Sequence, residues 1–361
     1  MQTLILVGIE GGDALLGGAV LLILQALLLQ SVQLPVPGQQ QTGPLADHQV
    51  LGGDVHAALA DGVDLLEQIL AVQGHAVAED VHDTGAENAG GSWFTAQDDT
   101  ALEAIAATGA NTVRIVCGSG QQYNKDSVES LNKLTDKCKE LEMIAILEVH
   151  DVTGKDDTSL LETAADYWIE VKEALIGKEN YVILNIANEW VGNWDGQKWC
   201  DGYTSVIPRL REAGIKNTII VDAAGWGQYG QSVTDYGEQV FAADPDANTM
   251  FSVHMYGTAG KNKATIARNL KLSTDKGLCM IVGEFGWNHS DGDVDEEYIL
   301  EYCNENSVGW LAWSWKGNGG GVEYLDLADE WDGSSLSDWG ETVVNSDLGL
   351  KKTSVKCSIF D

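Results

Sequence analysis

From about residue 111 onward, apolar residues come in short unbroken runs. Ile144-Ala-Ile-Leu147, Val182-Ile-Leu184 and Ile219-Ile-Val221 contain no polar member, as in strands covered on both faces. Such runs begin near Asn111, Met143, Val182, Thr218, Met250, Met280 and Val308, at intervals of 28 to 39 residues. Between them the apolar positions fall in helical period, over Ser127–Leu141, Leu160–Ile176 and Asp295–Asn304, with a further helix, Asp98–Thr108, ahead of the first run. Repeats of this length predict parallel strands joined by helical crossovers.

The expected fold class is therefore α/β, a (β/α)8 TIM barrel; an open doubly wound sheet is the alternative. Seven strands are visible where a closed barrel needs eight. The missing one falls upstream of Asp98–Thr108, where Gly74–Val81 is the best of several weak candidates. Composition changes in the same region. The first Arg is Arg114 and the first Lys is Lys125, so residues 1–91 carry no basic side chain. One amphipathic helix is expected at Asp54–Val72. Ala14–Leu29 is apolar enough for a signal-peptide core, but Glu10 and Asp13 precede it where basic residues are expected. The chain divides into an atypical N-terminal segment, 1–91, that does not read as the barrel's native first strand, and a barrel unit, 92–361.

Across 361 residues, 55 acidic against 21 basic side chains give a net charge of −34. That field repels nucleic acid and anionic membranes and is compatible with a neutral polymer. The six cysteines form no C-x-x-C pair and lie at no metal-ligand spacing from histidine, so no zinc site is expected. Cys117 and Cys279 read as small buried hydrophobes, and disulfide pairing is left open. Asp291-Gly-Asp-Val-Asp295 alternates carboxylates as calcium loops do, but Tyr302 stands where the bidentate Glu would be. A helix cap fits better, with Asp293 as N-cap and Glu296 three residues on. Gly317–Gly321 reads as a flexible loop.

The chemistry gathers at the C-terminal ends of the expected strands, the face on which barrel enzymes build their sites. Arg114 lies in the first visible strand; His150 and Asp151 follow the next, then Asn188, Glu189 and Trp190. Asp222 and Trp226, His254 and Tyr256, Glu284, and Trp313 and Trp315 follow in turn. Any one of these has an ordinary structural reading: a lone buried His is more often satisfied core, and a lone Trp more often packing. Packing alone does not put an ionisable or amide group at the same end of nearly every strand. Two carboxyl groups facing each other across such a mouth suit a retaining glycoside hydrolase.

Residues 93 to about 350 resemble the bacterial β-mannanases of glycoside hydrolase family 5. The matching segments include Ile105–Val116, Leu147-Glu-Val-His-Asp-Val-Thr-Gly-Lys-Asp-Asp157, Asn185-Ile-Ala-Asn-Glu-Trp190, Ile220–Tyr229, Phe251-Ser-Val-His-Met-Tyr256, Val282-Gly-Glu-Phe-Gly286 and Gly309–Trp315. The resemblance implies Glu189 as general acid/base and Glu284 as nucleophile. It implies Asn188 at the sugar 2-hydroxyl, and Arg114, His254 and Tyr256 around Glu284. His150 would line the cleft, with Trp313 as the aromatic platform and Trp226 and Trp315 flanking it. No metal or cofactor is implied. The expected partner is β-mannan or manno-oligosaccharide, and the chain is expected to be a secreted monomer. A β-1,4-glucanase of the same family and a non-catalytic carbohydrate-binding barrel are the alternatives.

Overall fold

Seven parallel strands follow one another around a single curled sheet in chain order: β1 (Thr112–Cys117), β2 (Ile144–Val149), β3 (Val182–Asn185), β4 (Ile219–Asp222), β5 (Thr249–Met255), β6 (Met280–Phe285) and β7 (Gly309–Trp310). Each of their residues is buried, the condition that the apolar runs anticipate. Helices α1 (Thr100–Ala107), α2 (Val128–Glu140), α3 (Thr158–Glu170), α4 (Gly196–Glu212), α5 (Gly230–Ala242), α6 (Lys263–Thr274), α7 (Glu296–Asn306) and α8 (Asp338–Asn345) complete the βα alternation. This computed structural model describes residues 99–360 and, ahead of them, the backbone of a small hairpin pairing Glu87–Asn88 with Gly91–Ser92. The Asp54–Val72 helix, the Ala14–Leu29 stretch and the Gly74–Val81 strand candidate all lie outside the described residues. Among the described residues, β1 and β7 are the two edges of the sheet.

The helix starts are fixed by short polar side chains. Ser127 and Ser130 form a reciprocal capping box on α2. Asp157, Asp195, Asn262 and Ser337 each accept a backbone N–H in the first turn of their helix. The cap expected at Asp293 does not form. Asp293 is held in a hairpin, paired with Asn288, so α7 opens two residues later with Asp295 at its N-cap. No helix among the described residues is long and apolar enough to cross a membrane.

Trp168, Trp190, Trp199, Trp310 and Trp315 are among the largest fully buried side chains. Burying an indole requires a partner for its N–H, and main-chain carbonyls supply several. Trp168 donates to Ile186 (2.9 Å), Trp199 to Asp222 (2.7 Å) and Trp315 to Trp331 (2.9 Å). Trp315 is thus a core residue, and the expectation that it flanks a sugar platform is not met. The described cysteines are all free, and Cys279 is only half-buried.

At the end of the sheet opposite the strand C-termini, Arg211 on α4 is buried and fully engaged. It donates to both carboxylate oxygens of Asp244 at 2.8 Å, and to the carbonyls of Ile215 (2.9 Å), Asn217 (2.8 Å) and Asn248 (2.9 Å). One side chain therefore pins the turns leading into β4 and β5. Arg211→Ala leaves Asp244 charged, buried and unpaired, and should cost about 3–5 kcal/mol of stability in denaturant titration, with kcat per folded molecule unchanged.

Candidate active site

Arg114, in the middle of β1, points into the sheet's interior and is 2 % exposed. Its Nη1 donates to Glu284 Oε1 at 2.8 Å and its Nη2 to Asn188 Oδ1. Glu148 and Asp222 stand at 3.8 and 3.9 Å from the same guanidinium. A cation in an apolar interior is tolerated only when paired and hydrogen-bonded, and here carboxyl groups from three other strands converge on it.

Glu284 is placed by an irregularity in the sheet. Val253 pairs with Val282, but His254 pairs with Glu284, so Gly283 is left over as a bulge. Only glycine fits there, because a Cβ would lie 2.0 Å from Ser252 Oγ. The extra residue brings the His254 and Glu284 side chains together, with Nδ1 3.4 Å from Glu284 Oε2. Tyr256 donates its hydroxyl to that same oxygen at 2.8 Å.

Glu189 follows β3 in a left-handed backbone conformation, φ +48°, a strained state for a residue with a side chain. Its N–H donates to Asp222 Oδ2 at 3.0 Å, which helps hold it there. Its carboxyl oxygen Oε1 is 2.7 Å from His254 Nδ1. One oxygen of Glu189, one of Glu284 and a ring nitrogen of His254 all lie within 4.8 Å of one another. Three such groups could in principle hold a cation. Arg114 already donates to Glu284, however, and the repulsion between that fixed charge and a metal opposes metal binding.

The groups are pushed apart electrically. Burial raises the Glu189 carboxyl above the ordinary range; the hydrogen bond from His254 opposes this and the Glu284 charge adds to it. Burial would also raise Asp222, but His254 and Arg114 outweigh it and hold that carboxyl at about 2. Burial works against a charge on His254, and Glu284 and Asp222 overcome it, so its pKa stands well above the usual histidine value. The environment therefore favours a proton on Glu189 and disfavours one on Asp222 beside it.

A cleft of about 460 Å3 opens above this cluster. Glu189, Glu284, Asn188, His150, Tyr256, Trp226 and Trp313 line it; Arg114 and His254 support the carboxyl groups without lining it. Trp313 is buried and stacks near His150, with ring centroids 5.9 Å apart at 19°. Trp226 is 49 % exposed and lies over Gly154, where a Cβ would fall 2.1 Å from its indole.

Residues 75–319 of the chain, which include the two glutamates of the cleft, match the family model described as cellulase, glycosyl hydrolase family 5. The chain belongs to glycosyl hydrolase family 5. This family 5 chain is 52 % identical over 273 residues to the mannan endo-1,4-beta-mannosidase of Salipaludibacillus agaradhaerens, covering 76 % of this chain and 89 % of that protein. It is 43 % identical over 260 residues to that of Streptomyces lividans, covering 71 % and 68 %. Among solved structures, the mannohexaose complex of Thermomonospora fusca beta-mannanase superposes with a TM-score of 0.72 at 38 % identity, covering 80 % of this chain and 94 % of that one. As a member of family 5 the chain is a glycoside hydrolase with the (β/α)8 architecture, of which seven strands lie among the described residues.

Several residues of this family 5 site escape a sequence reading. Glu148 is fully buried and 2.8 Å from His150 Nδ1. The available signal was a lone charge in an apolar strand, two positions before His150 and so on the same face. Asp222 was visible at a strand end, but its hydrogen bonds to Asn185 (2.9 Å) and the Glu189 backbone were not. Nothing local marks Thr153, which receives a hydrogen bond from Asn188 at 2.9 Å, or Asn318, buried within a run of glycines.

His150 offers a test of this electrostatic arrangement. Burial disfavours its charge, but Glu148 outweighs burial and raises its pKa from 6.5 to about 9. A folded-state pKa above the unfolded one gives stability that is fully present below pH 6.5 and is lost as pH rises through about 9. Thermal melts of the wild type should decline across that window. His150→Gln should flatten the decline; an equal slope in the variant would show that the pair does not set it.

Proposed function

We propose that the chain is a retaining mannan endo-1,4-β-mannosidase that cuts internal bonds of β-mannan by double displacement. The observation that carries this reading is the approach of the Glu189 and Glu284 carboxyl groups, with one oxygen of each within 4.8 Å. Retention needs about 5–5.5 Å between the two groups, whereas inversion needs about 6.5–9.5 Å to admit a water. The kinship with named mannosidases at 52 % and 43 % identity favours mannan as the polymer.

In this reading Glu284, oriented by Arg114 and Tyr256, attacks the anomeric carbon while Glu189 gives its proton to the leaving oxygen. A glycosyl ester forms on Glu284 and the glycosidic C–O bond breaks. The Glu284 charge that had raised the Glu189 carboxyl is then gone, so Glu189 becomes a better-matched base. It takes a proton from water as that water attacks the ester-linked carbon, which frees Glu284 and restores the starting state. Asn188 is oriented toward the sugar by Arg114 and Thr153. Trp313 and Trp226 present aromatic faces to the C–H faces of the pyranoses.

The reading takes residues 92–361 as the catalytic unit, since all the residues given roles here lie between Arg114 and Trp313. It assigns secretion, because a polymer of this kind is met outside the cell, and a single chain as the working unit.

Reducing-end release from mannan and from carboxymethylcellulose separates mannanase, glucanase and a non-catalytic barrel. Glu189→Gln should lower kcat about 10²- to 10⁴-fold, the range for loss of a general acid/base, and Glu284→Gln should lower it further, both with oligosaccharide binding retained. Near-normal turnover in either variant removes that residue from its role. Proton NMR of the first product should show the β-anomer; a first-formed α-anomer would exclude double displacement.

A further inference from the structure

The glycine-rich segment after β7 carries one side chain that the reaction as described does not use. Gly319, Gly320 and Gly321 have nothing within 4 Å of the position a Cβ would take, so packing does not hold that part of the loop. Asn318, one residue earlier, is 9 % exposed and lines the cleft. Its Oδ1 accepts the indole N–H of Trp313 at 2.7 Å. Its Nδ2 donates to Asp326 Oδ1 at 2.8 Å and to Ser314 Oγ at 3.0 Å, and its backbone N–H donates to Asp326 Oδ1 at 3.0 Å.

These partners leave the amide one orientation. Turned over, it would set its NH2 against the indole N–H and its oxygen against the Asp326 carboxyl, losing both bonds. Asp326 therefore decides which end of Asn318 faces Trp313, and Asn318 fixes the edge of the indole. The ring also stacks near His150 and packs among Val116, Tyr256 and Leu325, so apolar contacts hold its faces while Asn318 holds its N–H edge.

We propose that Asn318 is a positioning residue: its amide, oriented by Asp326, clamps the Trp313 indole at the tilt against which the sugar at the cleavage point stacks. This rests on the reading of Trp313 as the platform. A platform matters most when the sugar distorts toward the transition state, so a loosened ring costs kcat more than KM. A displacement of about 1 Å near the chemistry is worth on the order of 10²-fold.

The test uses the full chain on whichever of mannan or carboxymethylcellulose the wild type cleaves. Asn318→Ala and Asn318→Asp should each lower kcat/KM about 10- to 100-fold, mostly through kcat. The double variant Asn318→Asp with Asp326→Asn restores a donor opposite the new carboxylate but not the acceptor for the residue 318 backbone N–H, and should recover part of the loss. A second readout needs no activity. The indole resonance in a 15N–1H spectrum that is missing in Trp313→Phe should shift in Asn318→Ala and return toward its place in the double variant. Unchanged kcat in Asn318→Ala, or a fall in kcat with that resonance unmoved, overturns the clamp. If Trp313→Ala leaves hydrolysis intact as well, the platform reading fails and takes the clamp with it; if only Asn318→Ala is silent, the platform stands and the clamp alone is lost. A wild type that cleaves neither polymer removes both.

Discussion

The rest of the site depends on the enclosure of one guanidinium inside the sheet. Arg114 cannot lose its proton and cannot reach water, so its charge must be answered by fixed neighbours. Glu148, Glu284, Asp222 and the amide of Asn188 all take positions around it. His150 and His254 bring two more positive charges among the same carboxyl groups. Three basic groups then face four acidic ones, and the excess is removed if one acid stays protonated. Glu189 is the member that burial, together with the Glu284 charge, drives in that direction. The upward push on the Glu189 carboxyl is thus a property of the whole cluster.

Rigid backbone devices set the precision of that cluster. The bulge at Gly283 brings a histidine and a glutamate from adjacent strands side by side. The left-handed turn at Glu189 aims its side chain back toward the mouth, with Asp222 holding the peptide N–H. Asp222 so constrains Glu189 through its backbone, and it also pairs with the His254 ring at 3.5 Å. A single buried carboxylate links the geometry of Glu189 to the charge of its neighbour His254.

The alternation of elements and the strand ends carrying Glu189, Glu284, His254 and Tyr256 were legible in the sequence, because strands buried on both faces leave unbroken apolar runs. Most of what orients those residues was not. The bulge at Gly283 changes no pattern of polarity. Asn318 reaches the cleft from a stretch whose composition says only that it is a loop. Trp315 failed as a platform for a related reason: Trp313 and Trp315 sit two apart with the same chemistry, and only the fold sends one to the cleft and the other to Trp331. Asp293 missed as a helix cap because its backbone pairs with Asn288, a contact outside the span a capping pattern inspects.

The bond between Arg114 and Glu284 joins positions 170 residues apart along the chain. Four intervening strands must find their neighbours before those two groups can meet, and each loop closure has an entropic cost that is recovered only when the ends dock. Turnover is therefore a late reporter of folding. Helices and local pairings can form while Glu284 still lacks its orienting cation, and a molecule that has opened at a single strand interface will be silent while it still looks largely native by its helix content.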